Sequence, residues 1–169
     1  MAVRDSVKVP PLVAPQRITI TAGVHGDEGS EQHEQDVAND IGRSAPGHLT
    51  VADVATFHEF GVSPFQMKNG EMHPGIPQRS FVRAWFDESQ AFITETLRSQ
   101  MTLVVAGKLT AEKASARIAL AFEGSMKQRI ARGIEPPLAA STIEKKGSSK
   151  PLIDKGQLRA AVRGKATLG

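Results

Sequence analysis

The chain has 169 residues, a formal net charge of +3, 40% hydrophobic and 23% charged residues, no cysteine, no tyrosine, one Trp and seven Phe. A chain of this length buries a genuine core as one domain, here 1–169, with 1–16 as an N-terminal extension and 133–169 as a C-terminal docking arm. Absence of cysteine excludes disulfides, thiolate metal sites and thiol catalysis, and the scarcity of aromatics argues against stacking platforms for single-stranded nucleic acid.

The N-terminal residues MAVRDSVKVPPLVAP lack an apolar core of signal-peptide length, and no later run is long enough to span a bilayer. The expectation is a protein made in the cytoplasm, with no membrane partner. Charge is unevenly spread. Residues 1–100 carry 8 Lys/Arg against 13 Asp/Glu, whereas residues 101–169 carry 13 against 5. Opposite-sign halves favour contact between copies or with neighbouring subunits, and the basic half also suits nucleic acid. Two solvated faces with no partner satisfy the same numbers.

RITITAGV, from Arg17 to Val24, alternates Arg17, Thr19 and Thr21 with Ile18, Ile20, Ala22 and Val24, the period of a half-buried strand. HGDEGSEQHEQDVANDIGRSAPGH reads as a long acidic loop. Thr50 is placed to cap a short helix, VADVATFHEF, which Gly61 stops. VSPFQMKNGEMHPGIPQRS, rich in Gly and Pro, reads as a surface loop or hairpin. From Ser80 to Ala106, Phe81, Trp85, Phe92, Ile93, Thr96, Leu97, Met101 and Val104 recur at three- and four-residue steps. That spacing predicts an amphipathic helix of about seven turns. Thr110 starts another helix, with Ala114, Ile118, Phe122, Met126 and Ile130 as its apolar stripe and Gly133 as its end. Pro136 and Pro137 predict an extended run, Ser141 and Glu144 a capping box, and Gly147 a helix end. Asp154 and Gln157 repeat the capping logic for a second short helix carrying Leu158, Ala161 and Val162, followed by a short terminal strand. The fold class is α+β: a small, mostly antiparallel sheet on a long interrupted helix, with extended loops and the docking arm.

Chemistry is sparse. His25, Asp27, Glu28, Glu31, His33 and Glu34 would suit a divalent metal if a loop gathered them. Their spacing fits no zinc or calcium motif, and both His-Glu pairs lack the second histidine of a zincin, with Val37 and Val62 in that place. No nucleophile elbow, phosphate loop or dinucleotide fingerprint is present. The expectation is therefore a non-enzyme without cofactor. Lys145, Lys146, Lys150, Lys155, Arg159, Arg163 and Lys165 are able to neutralise phosphates, but no DNA-binding motif accompanies them.

Three segments, in order, resemble the tail-completion or neck proteins of long-tailed bacteriophages. VADVATFHEFGV contains a short helix ending in His58, Glu59, Phe60 and Gly61. IPQRSFVRAWFDE carries Pro77, Arg79, Phe81, Arg83 and Trp85 into the long helix. GIEPPLAASTIEKKGSSKPLIDKGQL holds Pro136, Pro137, Lys146, Asp154, Gln157 and Leu158, with Arg159 next. Ser80 stands where the family has proline and Lys155 where it has threonine, and the strand after Arg163 is short. The resemblance implies a virion protein at the head–tail junction, a ring of copies (a hexamer) joining the tail tube to the head connector. Its partners would be a head-completion protein and a tail terminator or tail tube protein. A tail terminator, or an accessory protein making non-specific DNA contact at the portal, are the alternatives. The residues named in these three segments would be structural and interface positions, with Arg79 and Arg83, if exposed, meeting acidic neighbours.

Overall fold

A computed structural model describes residues 17–27, 49–67, 69–138, 152 and 156–168. Strand β1 (Ile18–Val24) follows the predicted alternation, with Ile18, Ile20 and Ala22 turned toward the core and Arg17, Thr19 and Thr21 toward solvent. Helix α1 (Val51–Phe60) begins with a full capping box. Thr50 Oγ1 accepts from the Asp53 amide at 3.2 Å, and the Thr50 amide donates to the Asp53 carboxylate at 3.0 Å. Gly61, at φ 74°, ends the helix in a region that favours glycine.

The Gly- and Pro-rich segment forms a hairpin. Val62 and Ile76 exchange backbone hydrogen bonds of 2.8 Å, and β2 (Phe65–Gln66) pairs antiparallel with β3 (Met72–His73). The Phe65 ring stacks on His73 at 4.7 Å.

Where one long helix was expected, there are two. Helix α2 (Phe81–Glu88) ends at Ser89, whose φ of −106° and ψ of 12° leave the helical region, and α3 (Gln90–Val105) resumes at once. The break has a packing cause. α2 drives Phe81 and Trp85 into the core at 1% and 5% exposure, whereas α3 leans on the next helix and fully buries none of its residues. Helix α4 (Ala111–Arg132), capped by Thr110 as expected, is the spine, burying Ala114, Ile118, Phe122, Met126 and Ile130.

Helix α5 (Gln157–Ala161) starts behind Gly156, which occupies the N-cap in a left-handed conformation. The capping position proposed for Asp154, and the helix expected from Ser141 to Gly147, lie outside the described residues. Strand β4 (Val162–Leu168) falls where the terminal strand was expected and pairs antiparallel with β1 along its whole length, from Ile18 opposite Leu168 to Val24 opposite Val162. This sheet lies across α4 with Gly164 against Ala119, where a Cβ would stand 1.9 Å from the Ala119 carbonyl oxygen. The described part of the C-terminal arm does not project from the molecule. Ile134, Leu152, Leu158, Ala161 and Val162 join Phe81, Trp85, Ile118, Phe122 and Met126 in one core. The architecture is α+β, with a small antiparallel sheet on an interrupted helical frame.

Candidate functional site

The segments that carry the resemblance come together at the start of α2. α1 delivers His58 and Glu59 there, because Gly61 stops the helix and turns the chain back. The His58 carbonyl accepts from the Arg79 amide at 2.7 Å. The Glu59 carbonyl accepts from Ser80 Oγ at 2.8 Å and from Gln78 Nε2 at 3.0 Å. The Glu59 carboxylate then caps α2, accepting from the amides of Val82 at 3.0 Å and Arg83 at 3.2 Å. Ser80 thus occupies the N-cap position without capping through its own side chain. A carboxylate is the stronger acceptor at the positive end of a helix, so Glu59 displaces it.

Arg79 binds the third segment. It is 4% accessible, so the condition for a contact with acidic neighbours, exposure, is not met at Arg79. Its Nε donates to the Pro136 carbonyl at 2.8 Å and its Nη2 to the Pro137 carbonyl at 3.0 Å. The run through these prolines bends at residues 135–136 rather than staying extended, and this bend presents both carbonyls to one guanidinium. Burial pushes the Arg79 guanidinium down from its ordinary value, by desolvation of the charge.

The other candidates divide by depth. Phe81, Trp85 and Leu158 are core residues. Trp85 Nε1 donates to Ser125 Oγ at 3.0 Å, and its ring meets Phe122 edge-on at 5.6 Å. Arg83, Pro77, Pro136, Pro137 and Arg159 are exposed, Gln157 is half-buried, and Lys146 and Asp154 lie outside the described residues. Phe60 stands 67% exposed beside Phe86 at 53%. These two rings edge an open groove of about 630 Å³ between β1, α1 and α2, floored by Ala22, Val24, Val82 and Trp85, with Glu59 and Arg83 on its walls.

Of the His and acidic residues weighed as metal ligands and set aside, His25 and Asp27 are among the described residues. His25 Nε2 donates to the Arg163 carbonyl at 3.1 Å, and Asp27 pairs with Lys165, so both clasp β4. The remaining members lie outside the described residues. Among the described residues no group of three or more His, Asp or Glu side chains is placed to hold a metal ion. No helix among them is long and apolar enough to cross a membrane.

A second polar cluster escaped the sequence reading. Glu123 accepts from Lys127 Nζ at 2.6 Å and from the Gly164 amide at 3.0 Å, with Arg163 at 3.9 Å. Burial raises its carboxyl, but the Lys127 and Gly164 hydrogen bonds and the two cations outweigh that and leave it below its ordinary value. The Glu123–Lys127 spacing was legible as a helical i,i+4 pair. Its use by a strand amide 41 residues away was not. Glu59 and Arg79 spend their polar groups on backbone within the fold, and Glu123 divides its own between the Gly164 amide and the Lys127 side chain. Comparison of the chain with protein-family models, curated proteins and solved structures yields no match.

Proposed function

We propose that the chain is a structural protein of the head–tail junction of a long-tailed phage, one of a ring of copies that joins the tail tube to the head connector. The supporting observation is that three separate segments, each resembling that group, meet in one hydrogen-bonded joint held by Glu59 and Arg79. The residues behind the resemblance fix how α1, α2 and the proline segment stand relative to one another. An assembly protein needs that rigidity in its contact surfaces. In this reading the chain works by docking, its partners being further copies, a head-completion protein and a tail terminator or tube protein, and its place is the virion.

The test is deletion of the coding sequence from a phage that carries it, followed by electron microscopy of the lysate. DNA-filled heads beside separate tails of normal length are the expected outcome. Overlong tails would assign the chain to tail termination, and normal infectious particles would overturn the proposal.

A further inference from the structure

The hairpin that follows α1 carries at its tip the one Asn-Gly pair of the chain, Asn69-Gly70; the other asparagine, Asn39, precedes Asp40. The Met67 amide donates to the Glu71 carbonyl at 2.7 Å and the Gly70 amide to the Met67 carbonyl at 2.9 Å, which closes the turn. Gly70 stands at φ 87°, and Asn69, Gly70 and Glu71 are all exposed. The Asn69 carboxamide is held at both ends by Glu71. Its Oδ1 accepts from the Glu71 amide at 3.1 Å, and its Nδ2 donates to Glu71 Oε2 at 2.8 Å. These bonds fold the side chain back over the Gly70 peptide that links the two residues.

We infer that Asn69 is a site of spontaneous covalent change, the loss of its side-chain nitrogen through a ring closed on Gly70. The Gly70 nitrogen gives up its proton and attacks Asn69 Cγ. Charge developing on Oδ1 meets the Glu71 amide, which already donates there. The Cγ–Nδ2 bond then breaks, the nitrogen takes up a proton and leaves as ammonia, and a cyclic imide remains. Water adds to either carbonyl carbon of the imide and breaks that carbon's bond to the Gly70 nitrogen, which regains a proton. Cleavage at Cγ gives aspartate. Cleavage at the main-chain carbon gives isoaspartate, with the backbone routed through the former side chain. Glycine suits the attacking position because it has no Cβ to shield its nitrogen, and no atom stands within 4 Å of where a Cβ would be. One bond opposes the step, since the Gly70 amide reacts only when it releases the Met67 carbonyl. β2 and β3 pair through two residues each, a ladder too short to hold the turn shut, so that release is frequent. Isoaspartate lengthens the backbone inside the turn, and either product sets a carboxylate against Glu71 Oε2 where a donor stood.

The inference is independent of the neck reading. Its test is to hold the native chain at mildly alkaline pH and physiological temperature, digest it, and follow both asparagines by mass spectrometry. The peptide holding Asn69 is expected to gain about one dalton, and to do so about tenfold faster or more than the peptide holding Asn39, where the side chain of Asp40 hinders the attacking nitrogen. The rate is expected to rise with pH, because the Gly70 nitrogen must first lose its proton. Enzymatic methylation of isoaspartyl groups is expected to label the same peptide. Asn69→Gln keeps the amide but needs a larger ring, and is expected to show no gain at this position. Equal rates at Asn39 and Asn69 would overturn the proposal, as would an equal gain in the Asn69→Gln variant. A gain at Asn69 seen only after unfolding in urea would overturn it too, because the native hairpin would then protect the residue.

Discussion

Arg79 owes its place to two carbonyl groups more than 50 residues further along the chain. A guanidinium offers planar donors in a fork, and here Nε and Nη2 each take one proline carbonyl. Lysine has a single nitrogen on a flexible stem and cannot hold both. Arg79→Lys is expected to cost about 1–2 kcal/mol, and Arg79→Met about 2–3 kcal/mol, since it removes both charged donors from the two carbonyls. Urea unfolding followed by circular dichroism checks both. Glu123 carries a pH signature. Its folded carboxyl lies below its unfolded value, near 4.5, so the stability it contributes is present above that value and lost as pH falls through the folded one. Wild type is therefore expected to weaken below about pH 4.5, and Glu123→Gln to weaken less steeply over the same acid range, measured by unfolding midpoints against pH. The sequence singled out Glu59 and Arg79 but not their bonds, because those bonds reach across 23 and 57 residues. Local pattern carries no information about such partners.

Between elements, the contrast of α3 with α4 is instructive. Both show clear apolar periodicity, and β1, α1 and α4 are all legible from pattern and punctuation alone. The break at Ser89 is not legible. No proline or glycine stands there, and the apolar spacing continues through it. Only the different surfaces that α2 and α3 must cover produce the bend. The C-terminal segment reads from its prolines and caps as a docking arm, and the described apolar residues Ile134, Leu152, Leu158, Ala161 and Val162 dock into this chain's own core. The consequence for dynamics follows from burial. α3 fully buries no side chain, whereas α4 buries seven. In hydrogen exchange the amides of α3 are expected to open sooner than those of α4 between Ile118 and Ile130, which should persist to global unfolding. Equal protection of the two helices would contradict this account of the packing.

For the molecule as a whole, the pairing of β1 with β4 is the longest-range contact, and the sheet it forms meets α4 most tightly at Gly164 on Ala119. A methyl group there would collide with backbone, which has no flexible end to move aside. Gly164→Ala is expected to cost about 3 kcal/mol, more than an ordinary overpacked core site, and to lower the thermal midpoint accordingly. Deleting the arm is for the same reason a poor probe of head–tail joining, since it removes Val162 at 0% exposure and unfolds the protein it is meant to test. Exposed positions such as Leu120 and Phe86 probe assembly without that confusion. The α+β class was readable from the order of strand, helices and terminal strand. The joint between the three resembling segments became visible only once the chain was folded.

The pairing of β1 with β4 also sets an order of events during synthesis. Ile18 leaves the ribosome 150 residues ahead of its partner Leu168. Val24 likewise waits for Val162, and His25 and Asp27 wait for the strand they clasp. Until that strand emerges, the face of α4 around Ile118 and Ala119 has no sheet to cover it. Folding is thus withheld until β4 has been made, and a chain cut before that strand cannot close the sheet. In an assembly built from a fixed number of identical parts, such a latch would exclude incomplete copies before they are counted in.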